Sequence, residues 1–291
     1  MAVDRTALRE EPRPRSFYVL AAVFALFVVF LYGPVATITA LSFQGPQGGL
    51  TFPMNGVSTH WFERLWSGGG RVDIGTAFRR SALLGAVVML CTVVISVLAG
   101  LAFRKRFRGA SLLFFTAVAS LIVPSIVVSL GIALEFRILD SLLKAAGLGN
   151  SNSLGLFTSG LGAHLSWTLP FGLLIMFAVF NRLNKSYEEA ARDLGATSWQ
   201  SFRYVVLPMI APFTIGIALF GFTLSWDEIA RSSQTMGSTN TLPLELAALT
   251  TTVTTPEIYA LGTTVTAVSF AVIFGTLTLF LALQRRRRGR R

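Results

Sequence analysis

Glu188-Glu189-Ala190-Ala191-Arg192-Asp193-Leu194-Gly195, running on to Val205-Val206-Leu207-Pro208, is the longest well-patterned polar segment in a very apolar chain. Long apolar runs flank it, at 156–180 and 208–232, each without charge over its central part. A helix needs about 20 apolar residues to cross a bilayer. The quoted segment therefore reads as a folded loop held on one membrane face.

Working outward, four more runs of spanning length lie at 17–41, 81–103, 110–134 and 258–284. Each exceeds the ~10 residues of a barrel strand and lacks the in/out alternation that a barrel lumen imposes. The chain has 291 residues, 53% hydrophobic and only 13% charged, with mean hydropathy +0.63, which excludes an ordinary water-facing surface. The expected fold is all-α and polytopic, with six transmembrane helices over 16–284, a basic tail over 1–15 and an Arg-rich tail over 285–291.

The net charge of +11 is arranged for a membrane rather than for nucleic acid. Threading six helices in order puts eighteen of the 25 Lys and Arg residues on one side: the N-terminal tail, Arg104 to Arg108, Arg182 to Arg203, and the C-terminal tail. Seven fall opposite: Arg64, Arg71, Arg79, Arg80, Arg137, Lys144 and Arg231. By the positive-inside rule both termini and the quoted segment face the cytoplasm, and the terminal arginines fit an anionic lipid leaflet. The apolar run after Arg15 is much longer than the ~7–15 residues of a signal-peptide core, so it reads as the first membrane helix rather than a cleaved leader.

Trp61, Phe62, Leu65 and Trp66 suggest a short interfacial helix. Leu134, Ile138, Leu142 and Leu143, stopped by Gly147, Gly149 and Asn150, suggest an outer amphipathic helix over 135–155. Pro124, inside an apolar run, predicts a kink that either lines a pore or serves packing. His164 in the fourth run either bonds a neighbouring helix or meets a ligand. Two histidines and the lone Cys91 supply no zinc, haem or iron–sulfur ligand set and no disulfide.

Within the quoted segment Glu188, Glu189, Arg192 and Asp193 alternate with Ala190, Ala191 and Leu194 before Gly195, which suits a left-handed helix end. Ser198 then opens a second short helix through Tyr204, tied to Pro208. Glu189-Ala190-Ala191, three residues, Gly195, nine residues, Val205, one residue, Leu207-Pro208 resembles the EAA loop of permease subunits of ATP-binding-cassette importers, with Val205 where that pattern has Ile. The segments Phe222 to Ile229, Thr241 to Leu244 and Arg104 to Gly109 are most similar to the spermidine/putrescine branch, specifically the second of its paired permeases. The resemblance covers roughly 60–284, with a permease core over 81–284.

That resemblance implies a type I importer fold in a bacterial inner membrane, a second permease subunit, two cytoplasmic ATPases docking on the EAA loops, and an external solute-binding protein. It assigns the coupling role to Glu188, Glu189, Ala190, Ala191, Asp193, Gly195, Leu207 and Pro208. ATP and Mg belong to the partner ATPase: a P-loop needs Gly-Lys-Ser/Thr, and the three lysines here follow Arg104, Leu143 and Asn184. This chain is expected to bind no cofactor or metal.

Asp227 and Glu228 are the acids of the fifth run, 19 residues beyond Pro208, or ~28 Å at the helical rise. Acids at the outer leaflet are costly unless they face protein or a water-filled path. They either line a cation path, with Trp226, His164 and Pro124 as further candidates, or end the helix at the interface. Arg231 follows Asp227 by four residues and Glu228 by three, so it either pairs with them on one helix face or points into the path, where an anionic or amino-acid-like solute would suit it. A multi-spanning enzyme or signalling anchor would need a catalytic cluster at membrane depth, and none is visible.

Overall fold

A computed structural model describes residues 14–67, 73–105, 107–148, 153–252 and 255–288. The basic tail through Arg13, Arg71, Arg106, the stop expected at Gly149 and Asn150, and the last three residues lie outside them. Twelve α-helices follow in order: α1 (Arg15–Leu41), α2 (His60–Trp66), α3 (Ile74–Phe103), α4 (Ala110–Ala119), α5 (Ser125–Ala145), α6 (Ser159–Arg182), α7 (Ser186–Asp193), α8 (Ser198–Ser201), α9 (Leu207–Trp226), α10 (Ser232–Thr235), α11 (Leu242–Thr252) and α12 (Glu257–Arg288). A π turn over Phe202–Val206 joins α8 to α9. Among the described residues the only β feature is one bridge, Gln44 to Val57.

Among the described residues five helical stretches are long and apolar enough to cross a membrane: Arg15–Leu41, Ile74–Phe103, Ser159–Arg182, Ser198–Trp226 and Glu257–Thr278. The sixth expected span, 110–134, is instead two helices. Pro124 has φ −52° and ψ 132° and stands at the start of α5; the residue before a proline is pushed out of the helical region and the ring offers no N–H. The kink expected at Pro124 is thus a full break, and α5 continues through the outer amphipathic stretch to Ala145. Gly147, at φ 73°, closes it with bonds from its own N–H to Lys144 O (3.1 Å) and from Leu148 N–H to Leu143 O (3.0 Å).

α3, α6 and α9 form the centre, α3 packing along both of the others. Small residues allow the approach: a Cβ on Gly172 would lie 2.1 Å from Ser96 Oγ, and one on Gly221 would lie 3.1 Å from Met89 Cα. Helices in lipid pack by such close contacts because burial of apolar surface gives little drive there. Trp61 and Leu65 of α2 are buried in a cluster with Ile74, Trp226, Leu249 and Leu261, while Trp66 stays exposed. The short aromatic helix therefore faces inward over half its surface rather than lying flat as an anchor. α1 packs on α12 and exposes most of its apolar side chains.

Candidate coupling loop and transport path

The polar loop folds from local signals. α7 ends in a left-handed turn at Gly195, φ 85°, where Gly195 N–H reaches Arg192 O (2.8 Å) and Ala196 N–H reaches Ala191 O (3.0 Å). That is the pairing of a glycine-terminated helix. The next helix starts at Ser198, as the sequence suggests, with Thr197 as its cap: Gln200 N–H donates to Thr197 Oγ1 (3.3 Å) and Thr197 N–H to Gln200 Oε1 (2.8 Å). A reciprocal box of this kind satisfies two orphan donors at once.

The helix opened by Thr197 does not stop at Tyr204. It passes through the π turn, where Leu207 N–H bonds Phe202 O, and continues to Trp226. The wider turn falls where the Pro208 ring would meet the carbonyl four residues back. Glu189, Ala190, Asp193 and Gly195 are exposed, Ala191 is half-buried, Leu207 is half-buried in the α6–α9 packing, and Leu194 is 89% exposed. Glu188 turns the other way and pairs with Arg104 at the end of α3 (2.6 Å), whose guanidinium also lies 5.4 Å from the centre of the Phe180 ring. Sequence reasoning missed this tie between α7 and the membrane core.

The outer group is arranged differently from the expectation. α9 ends at Trp226, and Asp227 follows in a turn with φ −105° and ψ 10°, so Asp227, Glu228 and Arg231 do not share a helix face. Trp226 is buried, 5.5 Å edge-on to Phe78 and 5.7 Å stacked on Phe222. Asp227 is exposed, and its carboxylate has no hydrogen bond or ion pair among the described residues. Glu228 Oε1 accepts the backbone N–H of Arg231 (2.9 Å). His164 is buried in α6, its Nδ1 2.8 Å from Ser225 Oγ and its Nε2 2.9 Å from Ser232 Oγ; it joins α6 to both sides of the turn.

Arg231 has no exposed surface. Its guanidinium reaches Ser120 O (3.2 Å), Ser166 Oγ and Ala163 O (3.4 Å), and stands 5.0 Å over the Trp167 ring. The sequence carried one signal for this: Ser-Leu-Ile-Val-Pro at 120–124 and Ser-Trp-Thr-Leu-Pro at 166–170 each place a serine four residues before a proline.

A family described as the binding-protein-dependent transport system inner membrane component matches residues 92–289. The chain belongs to that family. This permease is 30% identical to the spermidine/putrescine transport system permease protein PotC of Haemophilus influenzae over 88% of this chain and 94% of that one. It is 29% identical to the putrescine transport system permease protein PotI of Escherichia coli over 83% of each. Among solved structures it is similar to a chain of a bacterial ABC transporter that imports alginate, with TM-score 0.66 and 16% identity over 93% of this permease and 94% of that chain. The protein is therefore a multi-pass inner-membrane permease component of an ABC importer, not an enzyme.

Proposed function

We propose that this permease is the second of a heterodimeric pair in an importer for a small amine-bearing solute, a polyamine such as spermidine or putrescine. An external binding protein delivers the solute, and two cytoplasmic ATPases, holding ATP and Mg, drive alternating access. α7 and its capped turn, Glu188 to Gly195 with Leu207 and Pro208, receive the ATPase stroke, and both termini lie in the cytoplasm. The names of the curated relatives support the cargo class, and the exposed, unpaired Asp227 is the single feature of this chain that best suits a cation path.

The enclosure of Arg231 supports a cationic over an anionic solute, since its guanidinium is occupied by carbonyl and hydroxyl groups of α4 and α6. Trp226 and His164 then serve the path as packing and bridging groups behind Asp227 and Glu228, with Pro124 at the elbow.

Variants at each end test this reading. Gly195→Asp or Glu189→Lys should abolish spermidine uptake and stimulated ATP hydrolysis in the reconstituted importer while membrane insertion stays normal; uptake at the wild-type rate would sink the loop assignment. Asp227→Asn should impair spermidine uptake much more than docking of the loaded binding protein, and an unchanged uptake rate removes Asp227 from the path.

A further inference from the structure

A proline removes the N–H that would satisfy the carbonyl four residues earlier in a helix. Here that happens twice on facing helices. Pro124 leaves Ser120 O without its helical donor, and Pro170, inside α6, does the same to Ser166 O. In lipid each stranded carbonyl must find another donor.

The two vacancies are filled in series. Ser120 Oγ donates to Ser166 O at 2.6 Å. Arg231 then donates to Ser120 O at 3.2 Å and to Ser166 Oγ, with the Trp167 ring beneath its charge. Ion pairs within 4.0 Å among the described residues are Arg64–Glu257 and Arg104–Glu188, so Arg231 is held by dipoles and a ring rather than by a contacting carboxylate. The backbone around it is bound just as closely: Ser129 Oγ of α5 donates to Ala230 O (3.2 Å), Thr235 Oγ1 to Arg231 O (2.7 Å) and Ser159 Oγ of α6 to Thr235 O (2.6 Å).

We propose that Arg231 is a positioning residue for transport: its guanidinium supplies the donor lost at Pro124, bonds Ser166 Oγ beside the carbonyl freed at Pro170 and already taken by Ser120 Oγ, and fixes the Asp227–Glu228 turn to the α4–α5 break and α6, so the three move as one outer block. This rests on the reading of Asp227 as a path group. A planar fork with five fixed donors can serve acceptors on two helices at once; an ammonium on a flexible stem cannot reproduce that geometry.

The test uses the assembled importer in proteoliposomes with Asp227→Cys in a Cys91→Ser background, labelled from the outer face by a charged methanethiosulfonate. Arg231→Met should change the labelling rate of the resting importer by about fivefold, the effect of losing one buried hydrogen bond that holds the turn in place. It should also erase the rate difference between the resting and the ATP–vanadate-trapped importer. Arg231→Lys should give the same direction with a smaller change, and it decides the matter alone if the Met variant is missing from the membrane. Labelling rates that match those with Arg231 intact in both variants overturn the proposal. The assay needs no cargo, so normal spermidine uptake by Asp227→Asn would remove the path reading and leave the labelling result standing.

Discussion

Arg104 and Arg231 sit at opposite ends of the helical core and are held by opposite means. Arg104 has a carboxylate at 2.6 Å, in a site where both side chains keep some contact with water. Arg231 has none in contact and no exposed surface. A partly solvated ion pair tolerates displacement, because water takes over whatever contact is lost, and it is typically worth about 0–1 kcal/mol. A buried guanidinium whose terminal nitrogens bond carbonyl and hydroxyl oxygens around it has no such substitute, so removing any partner leaves a polar group stranded. If the loop is pushed as proposed, the tie at Arg104 can therefore yield, whereas the one at Arg231 behaves as a weld.

After Arg231 itself, His164 offers the sharpest way to break this contrast. His164→Leu strands Ser225 Oγ, while Ser232 Oγ keeps its bond to Glu228 O (2.7 Å). The expected loss is about 1–3 kcal/mol of stability, read as a lower midpoint of thermal unfolding in detergent. A midpoint at the wild-type value would mean that the outer block is not as tightly built as its hydrogen bonds imply.

A smaller effect is expected at the other end. Arg104→Ala and Glu188→Ala, alone and combined, should give a coupling energy of about 1 kcal/mol or less that shrinks at high salt. A coupling several times larger and insensitive to salt would erase the distinction between the two arginines.

The two ends also differ in how far they could be read from sequence. Nearly everything that shapes the coupling loop lies within a few residues: Gly195 closes α7 on Arg192 and Ala191, and Thr197 caps on Gln200. Local chemistry of that kind is legible in order along the chain, and the error was at the far end, where the helix begun at Ser198 runs past Tyr204 to Trp226. The outer site is assembled from Ser120, His164, Ser166 and Arg231, and the bond from Arg231 to Ser120 bridges 111 positions. Spacing suggested an Asp227–Arg231 pair because it assumed that the helix ran on to 232. The helix ends at Trp226, and Arg231 turns to the carbonyl that Pro124 had freed and to the hydroxyl of Ser166. The repeated Ser-x-x-x-Pro was the available clue, but it marks where acceptors are vacated, not which donor fills them.

The unbroken helical path from Ser198 to Trp226 has a mechanical meaning. Its 29 residues amount to ~43 Å at the helical rise, against ~30 Å of hydrocarbon, so the shaft stands proud of the oily layer by about two turns. A hinged arm would lose part of each stroke at its joint. This rod has its one irregular turn near its start, just before Pro208, so a displacement delivered beyond that turn reaches the Trp226 end with little slack.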